Sequence, residues 1–326
     1  MTAIAFRGEL LSVGRDPAVD ADAVRHECDG LLVVEDGIVV ARGAYADLAP
    51  RFRDLPTETL PGLIVPGLAD TPELARSESE ALIARWRGRG RLGYAVTPRF
   101  ALTSSDAQLH AAGALLDAHP EVLLHTHLAE NLAECAAVAG RFPECLDYLD
   151  AYDRFGLVAK RSVFAHGIHL SPRACAHMAQ TGAGIAVCPS SNLFLGPGFF
   201  DFGQAADHRV KLGLGSDIGA GTSLSMLHTA GLAYQAAQAR GHALDPFRAL
   251  YLATAGGAAL LHIEDRVGAL EPGQEADFIV LDPAATPLLA RRTRGAGLAE
   301  RLFALQILGD DRAIAATYLM GTRAWP

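Results

Sequence analysis

The sequence predicts an α/β protein: a TIM-like (β/α)8 barrel short of about two βα units, with a small β-sandwich domain built from both termini. Three observations predict it. Between Leu63 and Ser216, apolar runs of strand length alternate with segments carrying helix start and stop signals, the grammar of a parallel sheet covered by helices. Successive apolar runs end in residues able to do chemistry, as barrel strands do at their C-terminal face. The two ends of the chain read differently, as short strands joined by turns.

In order, Leu31–Val34 and Ile38–Ala41 flank Glu35-Asp36-Gly37, a hairpin signal. Leu63–Leu68 is the first barrel-strand candidate, and one helix, Glu78 to Trp86, fits between it and Tyr94–Pro98. Thr103-Ser-Ser-Asp106 opens a helix toward His119 in the manner of a capping box. Val122–His127 and Ser162–His166 follow. Ser171-Pro172 supplies an N-cap and a first-turn proline, and Thr181-Gly182 ends that helix. Gly184–Cys188 and Val210–Ser216 are the last two barrel candidates, so the count stops short of the eight strands that closure requires. Beyond them, Phe278–Leu281 and Ile314–Leu319 are strand candidates again. These readings assign residues 1–66 and 265–326 to a composite β-sandwich domain and 67–264 to the barrel. A doubly wound sheet fits the same alternation but needs a glycine-rich first turn, and Gly213-Leu-Gly215 misses the G-x-G-x-x-G spacing, which favours the barrel.

Composition narrows the function classes. The 326 residues are half hydrophobic with mean hydropathy +0.18, ample for a buried core. A net charge of −9 argues against a nucleic-acid or anionic-membrane partner. The longest uncharged stretch, Leu250 to Leu261, is too short to span a bilayer. The start, MTAIAFRGELL, has no basic segment before an apolar one, and the five scattered cysteines contain no C-x-x-C, so a reduced, cytoplasmic chain is expected. Arg85, Arg87, Arg89 and Arg91 interleave with Trp86 like a nucleic-acid-binding segment, but against this acidic balance they read as a solvated helix C-terminus.

His127, His166 and Asp217 end three different barrel-strand candidates and should converge on one rim. Two imidazoles and a carboxylate suit zinc or another borderline transition metal, with positions left for water. Singly, each has a plainer explanation as a satisfied polar group or a turn former; the repeated placement carries the metal reading. Glu130 follows His127 by three residues, where a carboxylate suits proton transfer or merely favours a helix start. Arg99 and Phe100 offer a donor fork and an aromatic face for a planar ring, or else a surface arginine beside a core aromatic. His125 shares a strand face with His127 and is expected to be a neighbour of the ligands; His169 is expected to be structural.

His125-Thr-His-Leu-Ala-Glu-Asn131, Ala165-His-Gly-Ile-His-Leu170, Cys188-Pro-Ser-Ser-Asn-Leu-Phe-Leu195, Gly213-Leu-Gly-Ser-Asp217 and Gly221-Thr-Ser-Leu-Ser-Met226 together resemble the amidohydrolase superfamily. Tyr94-Ala-Val-Thr-Pro-Arg-Phe100 narrows the resemblance to its guanine deaminases, and further matches extend to the C-terminus. The resemblance implies zinc-dependent hydrolysis of guanine to xanthine and ammonia, with one Zn2+ per chain held by His127, His166 and Asp217. It makes Glu130 and Asp217 catalytic, moving protons to the ring and from the water. It makes Arg99, Phe100, His127, Glu130 and Asp217 the guanine-binding residues, and it implies a homodimer. The family pattern also places an H-x-H ligand pair at the end of the first barrel strand. Here Leu63-Ile-Val-Pro-Gly-Leu-Ala-Asp70 runs into Thr71-Pro-Glu-Leu without a histidine, and an internal deletion near residues 69–78 accounts for the missing pair and the missing strands together. The alternative is a remnant that binds a purine without turnover because those ligands are absent.

Overall fold

The computed structural model describes residues 3–13, 24–36, 38–64 and 71–325. The chain divides into two compact units, Met1–Asp70 and Thr71–Pro326. In the first, strands β1 (Ala3–Val13), β2 (Val24–Glu35) and β3 (Ile38–Ala44) precede a helical turn, α1 (Tyr45–Leu48), and β4 (Thr57–Ile64). They form one sheet in the order β3-β2-β1-β4. The expected hairpin is present, with Glu35 opposite Ile38, while Gly37 lies outside the described residues. Ala5, Leu31 and Val33 bury one face beneath Leu48 of α1.

The second unit begins with α2 (Pro72–Trp86), where Thr71 caps the backbone N–H of Leu74 and Pro72 fills the first turn. The helix therefore starts six residues earlier than the expected Glu78, because Thr71-Pro72 is itself a start signal. Then come β5 (Ala95–Val96), α3 (Asp106–Ala118), β6 (Leu123–Leu128), α4 (Leu132–Arg141), α5 (Tyr148–Asp153), β7 (Ser162–His166), α6 (Pro172–Thr181) and β8 (Gly184–Val187). They are followed by α7 (Pro189–Leu195), α8 (Phe202–Asp207), β9 (Lys211–Leu214), α9 (Met226–Ala239), α10 (Pro246–Ala253) and α11 (Ala255–Leu260). Strand β10 (Phe278–Leu281), helices α12 (Pro287–Thr293) and α13 (Leu298–Leu308), and strands β11 (Ile314–Leu319) and β12 (Thr322–Trp325) close the chain. No helix among the described residues is long and apolar enough to cross a membrane.

The start signals read from the sequence act as physics requires. On α3 the reciprocal capping box forms two residues later than the expected Thr103–Asp106 pair, from Ser105 and Gln108, because the Thr103 hydroxyl bonds the carbonyl of Phe100 instead. Ser171 with Pro172 opens α6 as expected, and Gly182 ends it in the left-handed conformation at φ 79°. Two of the four arginines between Arg85 and Arg91 are tied to carboxylates, Arg87 to Glu121 and Arg91 to Glu275 and Asp277, while Arg85 and Arg89 lie over Trp86.

Strands β5-β6-β7-β8-β9 form one parallel sheet in sequential order, the succession of βαβ units that builds a barrel wall. The sequence offered six candidates for it. The first, Leu63–Leu68, belongs elsewhere as far as it is described: Leu63 and Ile64 end β4 and pair with Glu9 and Leu10 of β1, and residues 65–68 lie outside the described residues, as do residues 69 and 70 at the start of the expected deletion. A run with apolar residues on both faces satisfies either sheet, so periodicity does not choose between them. Strand β10 and its partners β11 and β12 form a separate antiparallel sheet.

All five residues of β7 are buried, and the core gathers around Leu124, Phe164, Ile185 and Tyr152. Helix α3 lies so close to the turn after α5 that a Cβ at Gly113 would overlap the carbonyl oxygen of Phe155. Gly113→Ala is therefore expected to destabilise the chain by about 1–3 kcal/mol, since overpacking must displace backbone here. The urea midpoint measures this, and an unchanged midpoint would mean that α3 shifts freely.

Candidate functional site

The C-terminal ends of four consecutive parallel strands meet at one rim. His127 lies at the penultimate position of β6 and pairs in register with Ala165, while His166 ends β7 opposite Leu128. Cys188 follows β8 directly, and Asp217 stands three residues beyond β9. At this rim three non-glycine residues take the left-handed conformation: Ala129 at φ 48°, His166 at 71° and Asp217 at 48°. Such backbone is costly for residues with a Cβ and persists where the surrounding fold enforces it, as at sites that aim side chains.

The rings of His127 and His166 stack with centroids 5.2 Å apart. The Nε2 of His166 lies 4.0 Å from Oδ2 of Asp217, and its Nδ1 lies 3.8 Å from Oε1 of Glu130. Two donor groups result, His127–Glu130–His166 and His166–Cys188–Asp217, and the ligand atoms of each lie within 4.8 Å of one another. His166 belongs to both. The four residues singled out from sequence are thus brought together, and Cys188 joins them.

Both imidazoles have their tautomer fixed from behind. Nδ1 of His127 lies 2.8 Å from the backbone oxygen of Arg99, and Nδ1 of His166 lies 2.9 Å from Oδ1 of Asn192. Each partner is an acceptor, so each Nδ1 donates and each Nε2 keeps its lone pair. His166 is only 1 % exposed, and its Nε2 has no hydrogen-bond partner. A buried imidazole nitrogen with a free lone pair, beside a second such ring, carboxylates and a thiol, is the donor chemistry of a borderline divalent cation. The residues fit a metal.

The backbone oxygen of Arg99 organises one side of the rim, accepting bonds from the N–H and Nδ1 of His127 and from Oγ1 of Thr126. Tyr152, fully buried in α5, donates its hydroxyl to the His127 carbonyl at 2.8 Å and accepts the N–H of Ala101 at 3.0 Å. Burial pushes the Tyr152 hydroxyl up to about 12, so it remains a donor at neutral pH. The Arg99 guanidinium lies over the Phe100 ring at 5.2 Å, and that ring stands 6.1 Å from His127, so the two residues flank the histidines. The backbone N–H of Glu130 donates to Oε2 of Glu134, which also closes the capping box of α4 on Asn131.

His125 is solvent-accessible. Surrounding protein nevertheless lowers its pKa first, with His127 and His166 adding to the shift and Asp217 opposing it, which makes it an electrostatic neighbour of the cluster. Nε2 of His169 lies 3.0 Å from the carbonyl oxygen of Pro197. The Cys188 thiol is pushed up to about 12, mainly by burial and then by Asp217. Sequence reasoning passed over three residues that shape the rim: Cys188, Asn192 and Tyr152. The Cys188-Pro-Ser-Ser-Asn192 run carried a signal for the first two; Tyr152 had none.

Comparison with known proteins gives a consistent result. The amidohydrolase family profile matches residues 24–324. The guanine deaminase of Escherichia coli (strain K12) is 46% identical over 255 residues, spanning 78% of this chain but only 58% of that protein. Among solved structures, the E. coli guanine deaminase superposes with a TM-score of 0.78 at 32% identity, covering 100% of this chain and 99% of that one. A guanine deaminase from Bradyrhizobium japonicum gives 0.75 at 29% identity, with the same coverage.

Proposed function

The chain belongs to the amidohydrolase family, whose members depend on a metal, and we propose that it hydrolyses guanine to xanthine and ammonia with one zinc ion per chain. The observation that carries this reading is the pair of lone-pair-bearing Nε2 atoms at the rim, with Glu130 and Asp217 within about 4 Å of His166. The likeness to guanine deaminases supports the choice of substrate. His127, His166 and Asp217 are the metal ligands in this reading. When bound, zinc supplies Lewis-acid activation that makes a nucleophile of water near neutral pH.

The remaining work falls to the chain. Phe100 offers its face to the purine and Arg99 its donor fork to the ring carbonyl, so the amino-bearing carbon is presented to the histidines. Asp217 takes a proton from the attacking water, and Glu130 carries a proton to the ring nitrogen beside the reacting carbon. The proton held by Asp217 then passes to the amino group as the carbon–nitrogen bond breaks. The new hydroxyl returns its proton to Glu130 as it becomes the carbonyl, and ammonia leaves with xanthine remaining. The backbone oxygen of Arg99 and Oδ1 of Asn192 hold the two imidazoles in orientation throughout, and Tyr152 fixes the His127 backbone.

The same proposal includes the composite β domain of residues 1–66 and 265–326, supported by the small sheets that both regions contain. It includes the deletion near residues 69–78, supported by a parallel sheet of five strands among the described residues. It also includes a cytoplasmic setting, with which the five free cysteines agree, and a homodimer, which the family resemblance supports. The test is direct. The purified chain is expected to retain close to one zinc and to release ammonia from guanine. Folded protein that takes up zinc yet releases no ammonia would reject the activity and leave a purine-binding remnant.

A further inference from the structure

We infer that Cys188 is itself a ligand of the metal in this chain, its thiolate completing the donor set beside His166 and Asp217. The inference rests on the metal reading above and extends it to a residue outside the proposed ligand set. Sγ of Cys188, a ring nitrogen of His166 and a carboxylate oxygen of Asp217 lie within 4.8 Å of one another. Zinc–sulfur and zinc–nitrogen distances of about 2.3 and 2.0 Å put neighbouring tetrahedral ligand atoms roughly 3.3–3.6 Å apart, so closing the set takes shifts of about 1 Å.

Two independent observations point the same way. Nε2 of His166 is buried without a partner, with the Asp217 carboxylate 4.0 Å away. The Cys188 side chain is 4 % exposed, and its one hydrogen bond is a 3.3 Å contact with Ala186 O, two residues back on its own strand. A thiol is a weak donor, so little is lost when that contact breaks. The three donors stand at or just beyond the ends of the adjacent strands β7, β8 and β9, whose hydrogen-bonded register holds them at fixed spacing. Glycine at 215 keeps the sulfur's other side clear, since a Cβ there would stand 3.2 Å from Sγ.

On binding, the S–H bond breaks, the sulfur lone pair forms the metal–sulfur bond, and the proton passes to solvent, with no change of oxidation state. A thiolate also selects for zinc over the hard cations magnesium and calcium. With His127, His166, Asp217 and Cys188 as four protein donors, zinc would take the water as a fifth ligand, an expansion open to catalytic zinc, so the assignment is compatible with hydrolysis.

The test replaces zinc by cobalt in the purified full chain and records its absorption. A near-ultraviolet sulfur-to-cobalt charge-transfer band is expected from the wild type and not from Cys188→Ser, while the visible cobalt bands of the variant persist. Zinc affinity, read by competition with a chromogenic chelator, should fall at least about 10-fold in Cys188→Ser. Circular dichroism of the variant controls for folding, and the wild-type spectrum needs no variant. Visible cobalt bands without a sulfur band in the wild type would overturn the inference and leave the metal site standing. A chain that takes up neither cobalt nor zinc would overturn both.

Discussion

Replacing His166 by asparagine is expected to abolish zinc retention and guanine turnover together while leaving the chain folded. His166 is the donor that the two groups have in common, so no rearrangement of Glu130 or Asp217 substitutes for it. Outer partners of metal ligands already contribute 10- to 100-fold in affinity, and removal of a shared ligand should cost about 100-fold or more. Asparagine is the informative replacement because residue 166 sits at φ 71°, a conformation it tolerates better than alanine, and because its shorter side chain does not bring a donor to the site. The substitution leaves Asn192 without its imidazole partner, a loss of about 1–3 kcal/mol that the buried β7 core can absorb. Bound zinc after dialysis and ammonia release from guanine are the measurements. A variant that keeps both at wild-type levels would remove His166 from the site.

The residues that proved legible share a physical cause. In a parallel sheet every strand runs the same way, so residues that follow successive apolar runs land on one rim, and His127, His166 and Asp217 could be grouped from their order alone. Cap chemistry was readable at Ser171 and to within two residues at α3, where Ser105 rather than Thr103 caps, because one side-chain oxygen three residues before a backbone N–H decides where a helix starts. What escaped depends on contacts across the fold. Tyr152 lies in a helix 25 residues beyond the histidine whose carbonyl it holds, and no local pattern encodes that bond. Asn192 reads as an ordinary polar residue until α7 turns it onto His166. Leu63 and Ile64 were given to the barrel because an apolar run carries no mark of its partner, and β1 claims them.

Glu130→Gln should lower the rate of guanine deamination by about 10²- to 10⁴-fold while zinc stays bound, the loss expected when a positioned general acid–base group is removed. The substitution tests proton transfer specifically. Glutamine keeps the volume and the hydrogen-bonding reach of glutamate, and the features that place residue 130 are backbone features: Ala129 at φ 48° before it and its own N–H held by Glu134. The rim geometry should therefore survive, KM should change little, and the deficit should appear in kcat. Glu130 also lies among the donors with His127 and His166, which gives the experiment a second edge. If Glu130→Gln releases the metal, the carboxylate is a ligand and the proton must travel through Asp217. If zinc remains and kcat is unchanged, neither role belongs to Glu130, and the 3.8 Å approach of its Oε1 to His166 would reflect packing at the head of α4 rather than catalysis.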